Sequence, residues 1–145
     1  MRIGAALHRR RDREALSKAQ SKSKQRAMHA VESALAKNAL EPVLVDLSGV
    51  SAYTDYLLIL SGKSLRQVEA ICEGVQQSMK ERGHQPLGVE GERGGQWMLI
   101  DYGDVVVHIF HHPVREFYDL ESLWSDAPRV ALQVPAELRV AQYAF

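Results

Sequence analysis

The hairpin-and-helix segment near the middle of the chain constrains the fold more than any other part of the sequence. Two apolar runs, Trp97–Asp101 and Val105–Phe110, flank a short turn at Gly103, which is typical of a β-hairpin. Pro113 then ends the second strand and suits the first turn of a helix that runs to about Trp124. Two paired strands followed at once by a helix predict a sheet with a helix packed beside it.

Hydrophobic periodicity predicts the other elements. They are a helix at about Gln25–Ala39, strands at Val43–Leu47 and Tyr56–Ser61, a helix that starts after Ser64, and a weak strand at Pro86–Val89. A helix links the second and third strands, which allows a parallel pair, whereas the hairpin is antiparallel. The predicted fold is therefore an α/β domain with a mixed β-sheet of about five strands flanked by helices, in the order α-β-β-α-β-β-β-α.

Charge divides the chain into a basic start and an acidic body. Residues 1–37 carry 10 Lys or Arg and 3 Asp or Glu, whereas residues 38–126 carry 6 and 14. An acidic body repels nucleic acid but suits a basic protein partner, because complementary charge steers their encounter.

Composition and hydrophobic periodicity together predict three regions, because residues 1–26 are polar and basic without a sustained pattern. We expect residues 1–26 to be a basic and flexible N-terminal arm, residues 27–127 to be the α/β domain, and residues 128–145 to be a C-terminal tail. The arm is either simply solvated or in contact with RNA or another polyanion. A transit peptide is a third interpretation, which Asp12 and Glu14 weaken.

Composition bounds the cellular setting. No apolar run approaches the roughly 18 residues that span a bilayer, so we expect no membrane association. The single cysteine, Cys72, cannot form an internal disulfide, which favours a reducing compartment, and we expect a cytoplasmic protein. Cys72 lies in an apolar helical pattern, so a buried and unreactive thiol is expected.

The residues that could support catalysis lack the necessary spacing. Gly62-Lys63-Ser64 follows a strand and opens a helix, but Leu57 stands where a phosphate-binding loop needs its first glycine. His108 and His111 have a spacing that places them on opposite sides of a strand, and His108 is better explained as a hydrogen-bonded residue within the sheet. The sequence thus predicts no enzyme, no catalytic residue, no metal site and no cofactor.

Aromatic residues near carboxylates are the stronger functional candidates. Tyr118 and Glu121 are three residues apart on the predicted helix, and Phe117 and Leu120 fall on its apolar stripe. We therefore expect Tyr118 to be less buried than Phe117. Trp97 and Tyr118 are either the binding centre for a basic partner or, respectively, a core residue and a rim residue.

Residues from about Val43 to Ala127 resemble the Iojap-like ribosomal silencing factors. The resemblance rests on many short signatures spread over this segment. They are Thr54-Asp55, Ser61-Gly62, Ser64 with Arg66, Glu90-Gly91, Trp97, Asp101-Tyr102-Gly103-Asp104, His108, Arg115, Tyr118-Asp119-Leu120-Glu121 and Leu123-Trp124. One position departs from the pattern, because Gln67 stands where the family often has histidine.

The resemblance implies a fold and a role. The fold would be like that of nucleotidyltransferases, without their catalytic residues. The protein would bind the large ribosomal subunit through a basic large-subunit protein of the L-fourteen family, block joining of the small subunit, and repress translation. The family's partner contacts would fall on Trp97, Tyr118 and Glu121, supported by Glu90, Asp101 and Arg115.

Several alternatives stay open at this point. Organellar relatives in the same family act in assembly of the large subunit, so an assembly factor without a silencing role is the second interpretation. A nucleotide-binding or nucleotidyltransferase enzyme is the third. The basic arm could contact ribosomal RNA, and a homodimer is neither required nor excluded by the sequence.

Overall fold

The computed structural model describes the backbone of residues 2–91 and 94–139 and, within these ranges, the side chains from residue 9 onward. The described residues form six strands, four α-helices and one turn of 3-10 helix. In chain order the elements are α1 (Arg2–Leu35), β1 (Leu40–Asp46), β2 (Tyr56–Gly62), α2 (Leu65–Glu81), β3 (Gly88–Gly91), β4 (Trp97–Asp101), β5 (Val105–His111), α3 (His112–Tyr118), α4 (Leu120–Leu123), β6 (Arg129–Val130) and the 3-10 turn (Ala136–Leu138).

The strands form one mixed sheet in the order β3-β4-β5-β2-β1-β6. The central pair β2 and β5 is parallel, and every other neighbouring pair is antiparallel. β2 is buried along its whole length, which agrees with its continuous apolar sequence. The predicted α/β class and mixed sheet are confirmed, and the sheet has six strands where the sequence indicated about five.

The two faces of the sheet are covered differently. Helices α1 and α2 pack on one face, which we call the closed face, and the core beneath them includes Leu58, Ile71 and Val107. On the other face, which we call the open face, the short helices α3 and α4 contribute Val114 and Leu120 to a smaller core. Side chains alternate along each strand, so every inner strand supplies both cores.

Helix α1 starts much earlier than the sequence indicated, because helical backbone continues through residues 2–26, where we expected an arm. Arginine, lysine, glutamate and alanine are good helix formers, so this stretch favours a helix even without an apolar stripe. The stripe appears only where α1 reaches the domain, at Ala27, Ala30 and Val31. The division into arm, domain and tail remains a prediction.

Local signals set both ends of α2, and its start after Ser64 agrees with the prediction. The Ser64 side chain accepts a hydrogen bond from the Gln67 backbone amide at 3.1 Å. The Gln67 side chain accepts from the amide of Lys63 rather than that of Ser64, so the capping box is shifted by one residue. After the helix, Gly83 adopts a left-handed conformation with φ of 84°, which glycine allows without a steric cost.

The helix predicted from Pro113 to Trp124 is divided in two. Asp119 has φ of 45° and ψ of 50°, and this left-handed residue ends α3 and begins α4. The prediction that Tyr118 is less buried than Phe117 is wrong, because Phe117 is 83% exposed and Tyr118 is 41% exposed. The physical reason is that α3 buries the face carrying His112 and Arg115, which an apolar-stripe argument does not detect.

The last strand was not predicted. β6 has two residues and pairs antiparallel with β1, where Val130 lies opposite Leu44. A two-residue strand is too short for any periodic pattern, so only its pairing identifies it. Residues 140–145 of the predicted tail lie outside the described residues. Within the described ranges, none of the helices combines the length and apolar character needed to cross a membrane.

Candidate protein-docking face

Four rings meet on the open face of the sheet, and we call them the aromatic cluster. The cluster consists of Trp97, His108, Phe110 and Tyr118. The antiparallel register of β4 and β5 sets Trp97 opposite Phe110, and alternation along β5 brings His108 to the same face. Tyr118 reaches the cluster from the end of α3.

The geometry of the cluster centres on Trp97. Its ring centroid lies 5.0 Å from that of Phe110 and 4.7 Å from that of Tyr118. These distances are within the range of favourable aromatic pairs. Phe110 is fully buried, Trp97 is partly exposed, and Tyr118 is 41% exposed. The cluster therefore has a buried base and an exposed upper side.

A hydrogen bond fixes the orientation of the indole ring. Nε1 of Trp97 donates to Nδ1 of His108 at 2.9 Å. Burial lowers the pKa of His108 to about 4, so the imidazole is neutral near pH 7 and its Nδ1 can accept. Protonation would turn this acceptor into a donor facing another donor. The prediction that His108 is a hydrogen-bonded residue of the sheet is confirmed.

Two carboxylates lie on β3 and β4, one beside the cluster and one at the far end of β4. Glu90, on the exposed strand β3, lies beside Leu99 in the register and lines a groove of about 330 Å³ together with Trp97. Asp101 lies at the other end of β4, about 13 Å along the strand from Trp97, and its Oδ1 accepts from the Gly103 amide at 2.7 Å. Burial, and then the negative charges of Asp101 and Glu90, raise the pKa of Tyr53.

Arg115 and Glu121 form an internal pair beside the cluster. Nε of Arg115 donates to Glu121 at 2.6 Å, and the arginine side chain is 6% exposed while that of the glutamate is 26% exposed. Nη1 of Arg115 also donates to the Glu41 carbonyl at 2.8 Å and to the Ser61 hydroxyl at 2.9 Å. Arg115 thus connects α3, α4, β1 and β2, and its guanidinium group serves to position the helix that carries Tyr118.

The structure therefore brings five of the six predicted site residues to one end of the open face. Trp97 and Tyr118 are in ring contact, Glu90 borders their groove, and Arg115 pairs with Glu121 behind them. Asp101 lies apart from this group, at the end of β4 that precedes the hairpin turn.

The sequence argument did not identify Phe110 as part of this site. A usable signal was present, because counting outward from a two-residue turn at Gly103-Asp104 sets Phe110 opposite Trp97.

The described residues offer little support for a metal site, a phosphate-binding site or a reactive cysteine. No group of three or more His, Cys, Asp or Glu in those ranges could hold a metal ion. At the start of α2 the amides of Lys63 and Gln67 already donate hydrogen bonds within the chain, so these two amides do not bind a phosphate. Cys72 is buried as predicted, and burial raises the pKa of its thiol.

Comparison with known proteins gives one consistent family. A family model described as "Ribosomal silencing factor during starvation" matches residues 20–144. The chain is 41% identical over 109 residues to "Ribosomal silencing factor RsfS" of Halalkalibacterium halodurans, which covers 75% of this chain and 91% of the relative. It is 30% identical over 92 residues to "Mitochondrial assembly of ribosomal large subunit protein 1" of Mus musculus, which covers 61% of this chain and 40% of that protein.

A crystal structure of a protein from Chromobacterium violaceum agrees with the fold. It superimposes with a TM-score of 0.68 at 33% sequence identity, covering 78% of this chain and 93% of that chain. The family match extends beyond the Val43–Ala127 segment on which the sequence resemblance was based, both toward the N-terminus and through the described part of the tail. The chain belongs to the family of ribosomal silencing factors, which also has relatives named for mitochondrial assembly of the large ribosomal subunit.

Proposed function

We propose that this protein binds the large ribosomal subunit through a basic large-subunit protein of the L-fourteen family. Bound there, it blocks joining of the small subunit and so represses translation. The observation that carries the proposal is the exposed contact between Trp97 and Tyr118 on the open face, in a chain of the silencing-factor family. No catalytic step is required, because occupation of the intersubunit surface is sufficient.

The physical character of the open face supports a protein partner. Large aromatic residues in a partly buried cluster are the side chains that most often dominate binding free energy. Trp97 and Tyr118 are held by rings and hydrogen bonds of their own domain, so little side-chain entropy is lost on binding.

Charge favours a basic partner over RNA at this face. Glu90, Glu116 and Asp119 are exposed around the cluster and α3. Carboxylates attract a basic protein and repel a phosphate backbone. We therefore assign the open face to protein contact.

Co-sedimentation with isolated large subunits, followed by addition of small subunits, tests the proposal. We expect the protein to migrate with the large subunit and to lower the amount of joined ribosomes. Tyr118→Ala should weaken binding roughly thirtyfold, which corresponds to about 2 kcal/mol. The matched control is Leu65→Ala, since Leu65 is 42% exposed at the start of α2, a helix of the closed face, and it should bind like wild type.

Two results would contradict the proposal in different ways. Binding without any effect on joining would favour a role in large-subunit assembly, which the name of the mouse relative supports. Absence of binding at moderate salt would remove the ribosomal partner itself. A rise in melting temperature with ATP and magnesium would point to nucleotide binding, since a ligand of the native state stabilises it.

A further inference from the structure

The exposed first half of α1 concentrates positive charge. Between Arg9 and Lys24 the sequence has seven Lys or Arg and two Asp or Glu. Every residue from Arg9 to Lys22 is exposed. Leu16 is the single large apolar side chain in that stretch, and it is 60% exposed. A helix that is polar on all sides does not serve the core of its own domain, and its cations are exposed where an external partner can reach them.

Six of the seven cations lie on two opposite sides of this helix, and the seventh, Arg10, lies between them and pairs with Glu14 at 3.4 Å. At 3.6 residues per turn, Arg11, Lys18 and Lys22 fall on one side. Arg9, Arg13 and Lys24 fall on the other side. Such a helix can meet phosphates along two strands at once, which suits a folded polyanion better than a single flat surface.

The base of this charged helix is fixed to the domain. The Ser23 hydroxyl donates to Asp55 at 2.7 Å. Arg26 forms an ion pair with Asp104 at 2.7 Å. Both carboxylates belong to loops beside β2 and β5, so α1 is joined to the domain where its exposed part ends. The helical backbone of residues 2–22 then extends about 30 Å from that junction.

The exposed part of α1 is basic, whereas the open face is acidic. The match to the family begins at residue 20, so most of the basic stretch lies before it. The acidic open face repels phosphates and suits a basic protein, while the helix suits a polyanion. A particle that presents a basic protein beside exposed RNA would satisfy both surfaces together.

We propose that residues 9–24 of α1 are an RNA-binding arm that contacts the phosphate backbone of large-subunit RNA while the open face binds a protein. This inference rests on the proposed function for the identity of the particle, and the chemistry of the arm itself requires only an exposed RNA backbone. The arm contributes affinity that falls with salt and does not read sequence.

Neutralising the arm tests this inference in the full chain. The variant carries Arg9→Gln, Arg11→Gln and Arg13→Gln, which preserve helix propensity. The matched control carries Lys37→Gln, Lys63→Gln and Lys80→Gln, which remove three exposed charges from the domain. Dissociation constants are measured over a salt series with large subunits, with protein-free large-subunit RNA and with phosphatidylserine vesicles, and circular dichroism checks helicity.

We expect the arm variant to bind both RNA-containing probes about tenfold more weakly at low salt. The slope of log K against log salt should fall in magnitude by about 2, because each phosphate contact contributes about 0.7–0.9. The control should match wild type. An arm variant that matches wild type on both probes would overturn the inference, and so would wild-type protein that binds vesicles but not RNA.

These experiments distinguish an error in the RNA-binding proposal from an error in the proposed function. If Tyr118→Ala lowers subunit binding while the arm variant does not, the proposed function stands and the RNA-binding arm is wrong. If wild type binds protein-free RNA through the arm but does not bind subunits, the arm stands and the proposed ribosomal function is wrong.

Discussion

The two faces of the sheet are built from the same strands and differ in what their side chains do. Along β5, Val107 and Ile109 lie under α1 and α2 in an apolar core, whereas His108 and Phe110 face the aromatic cluster. The closed face has long helices over it and mainly apolar side chains within it. The open face has short helices, polar ring atoms and partly exposed aromatics. We infer that the closed face supplies stability, which allows the open face to retain a recognition surface.

The largest effect is expected on the closed face. Leu58→Ala removes a fully buried side chain of β2 and leaves a cavity under the helices. It should lower the free energy of unfolding by about 2–5 kcal/mol in urea denaturation, while the folded fraction still binds large subunits normally. A loss below about 1 kcal/mol would contradict the division between the faces.

The second largest effect is expected from acid, which should lower the free energy of unfolding by protonating His108 on the open face. The pKa of His108 is about 4 in the folded protein and about 6.5 when unfolded, so the unfolded state binds more protons between these values. Stability from this residue is complete above about pH 6.5 and is lost as pH falls toward 4, by about 3 kcal/mol. Urea denaturation at several pH values measures it.

A variant that does not titrate provides the control for this prediction. His108→Gln keeps an oxygen that can accept from the Trp97 indole and should flatten that part of the pH dependence. An unchanged slope between pH 4 and 6.5 would show that His108 is not the group responsible.

The buried side chain of Arg115, which pairs with Glu121 beside the aromatic cluster, should contribute somewhat less to the free energy of unfolding. Arg115→Lys keeps the charge but cannot donate to Glu121, the Glu41 carbonyl and the Ser61 hydroxyl together. We expect a loss of about 1.5–3 kcal/mol of unfolding free energy in urea denaturation. Arg139→Lys is the matched control, because its half-exposed pair with Glu41 spans 3.6 Å and should change stability by less than about 0.5 kcal/mol.

The smallest effect is expected at Phe117. Phe117 is 83% exposed, and its ring lies edge-on to that of Tyr118 with 5.4 Å between the ring centroids. Phe117→Ala should change both stability and large-subunit affinity by less than about 0.5 kcal/mol. A loss of affinity as large as that of Tyr118→Ala would move the docking surface to the outer side of α3.

Much of the fold could be predicted from local patterns. The continuous apolar run of β2 and the hairpin around Gly103 predicted the ends of β2, β4 and β5 to within one residue. The length of α1 and the break at Asp119 could not be found in this way. The length of α1 depends on helix propensity in a stretch without an apolar stripe. The break depends on the left-handed backbone conformation of Asp119, which aspartate can adopt but which its presence does not predict.

The candidate site was predicted in its parts rather than as an arrangement. Trp97 and Tyr118 were identified as aromatic candidates, but their contact depends on how α3 packs across β4 and β5. Sequence spacing could not show that Arg115 is buried, since charged residues are normally exposed. The ion pair with Glu121 explains this exception, because it compensates the buried charge.

The most direct test of the open face as the docking surface is oxidative footprinting of the protein with and without large subunits. Trp97 and Tyr118 should lose reactivity on binding, because a partner covers their exposed edges. Leu65, on α2, should react equally in both states. Protection of Leu65 with unchanged reactivity at Trp97 and Tyr118 would place the partner on the other side of the domain and contradict the account.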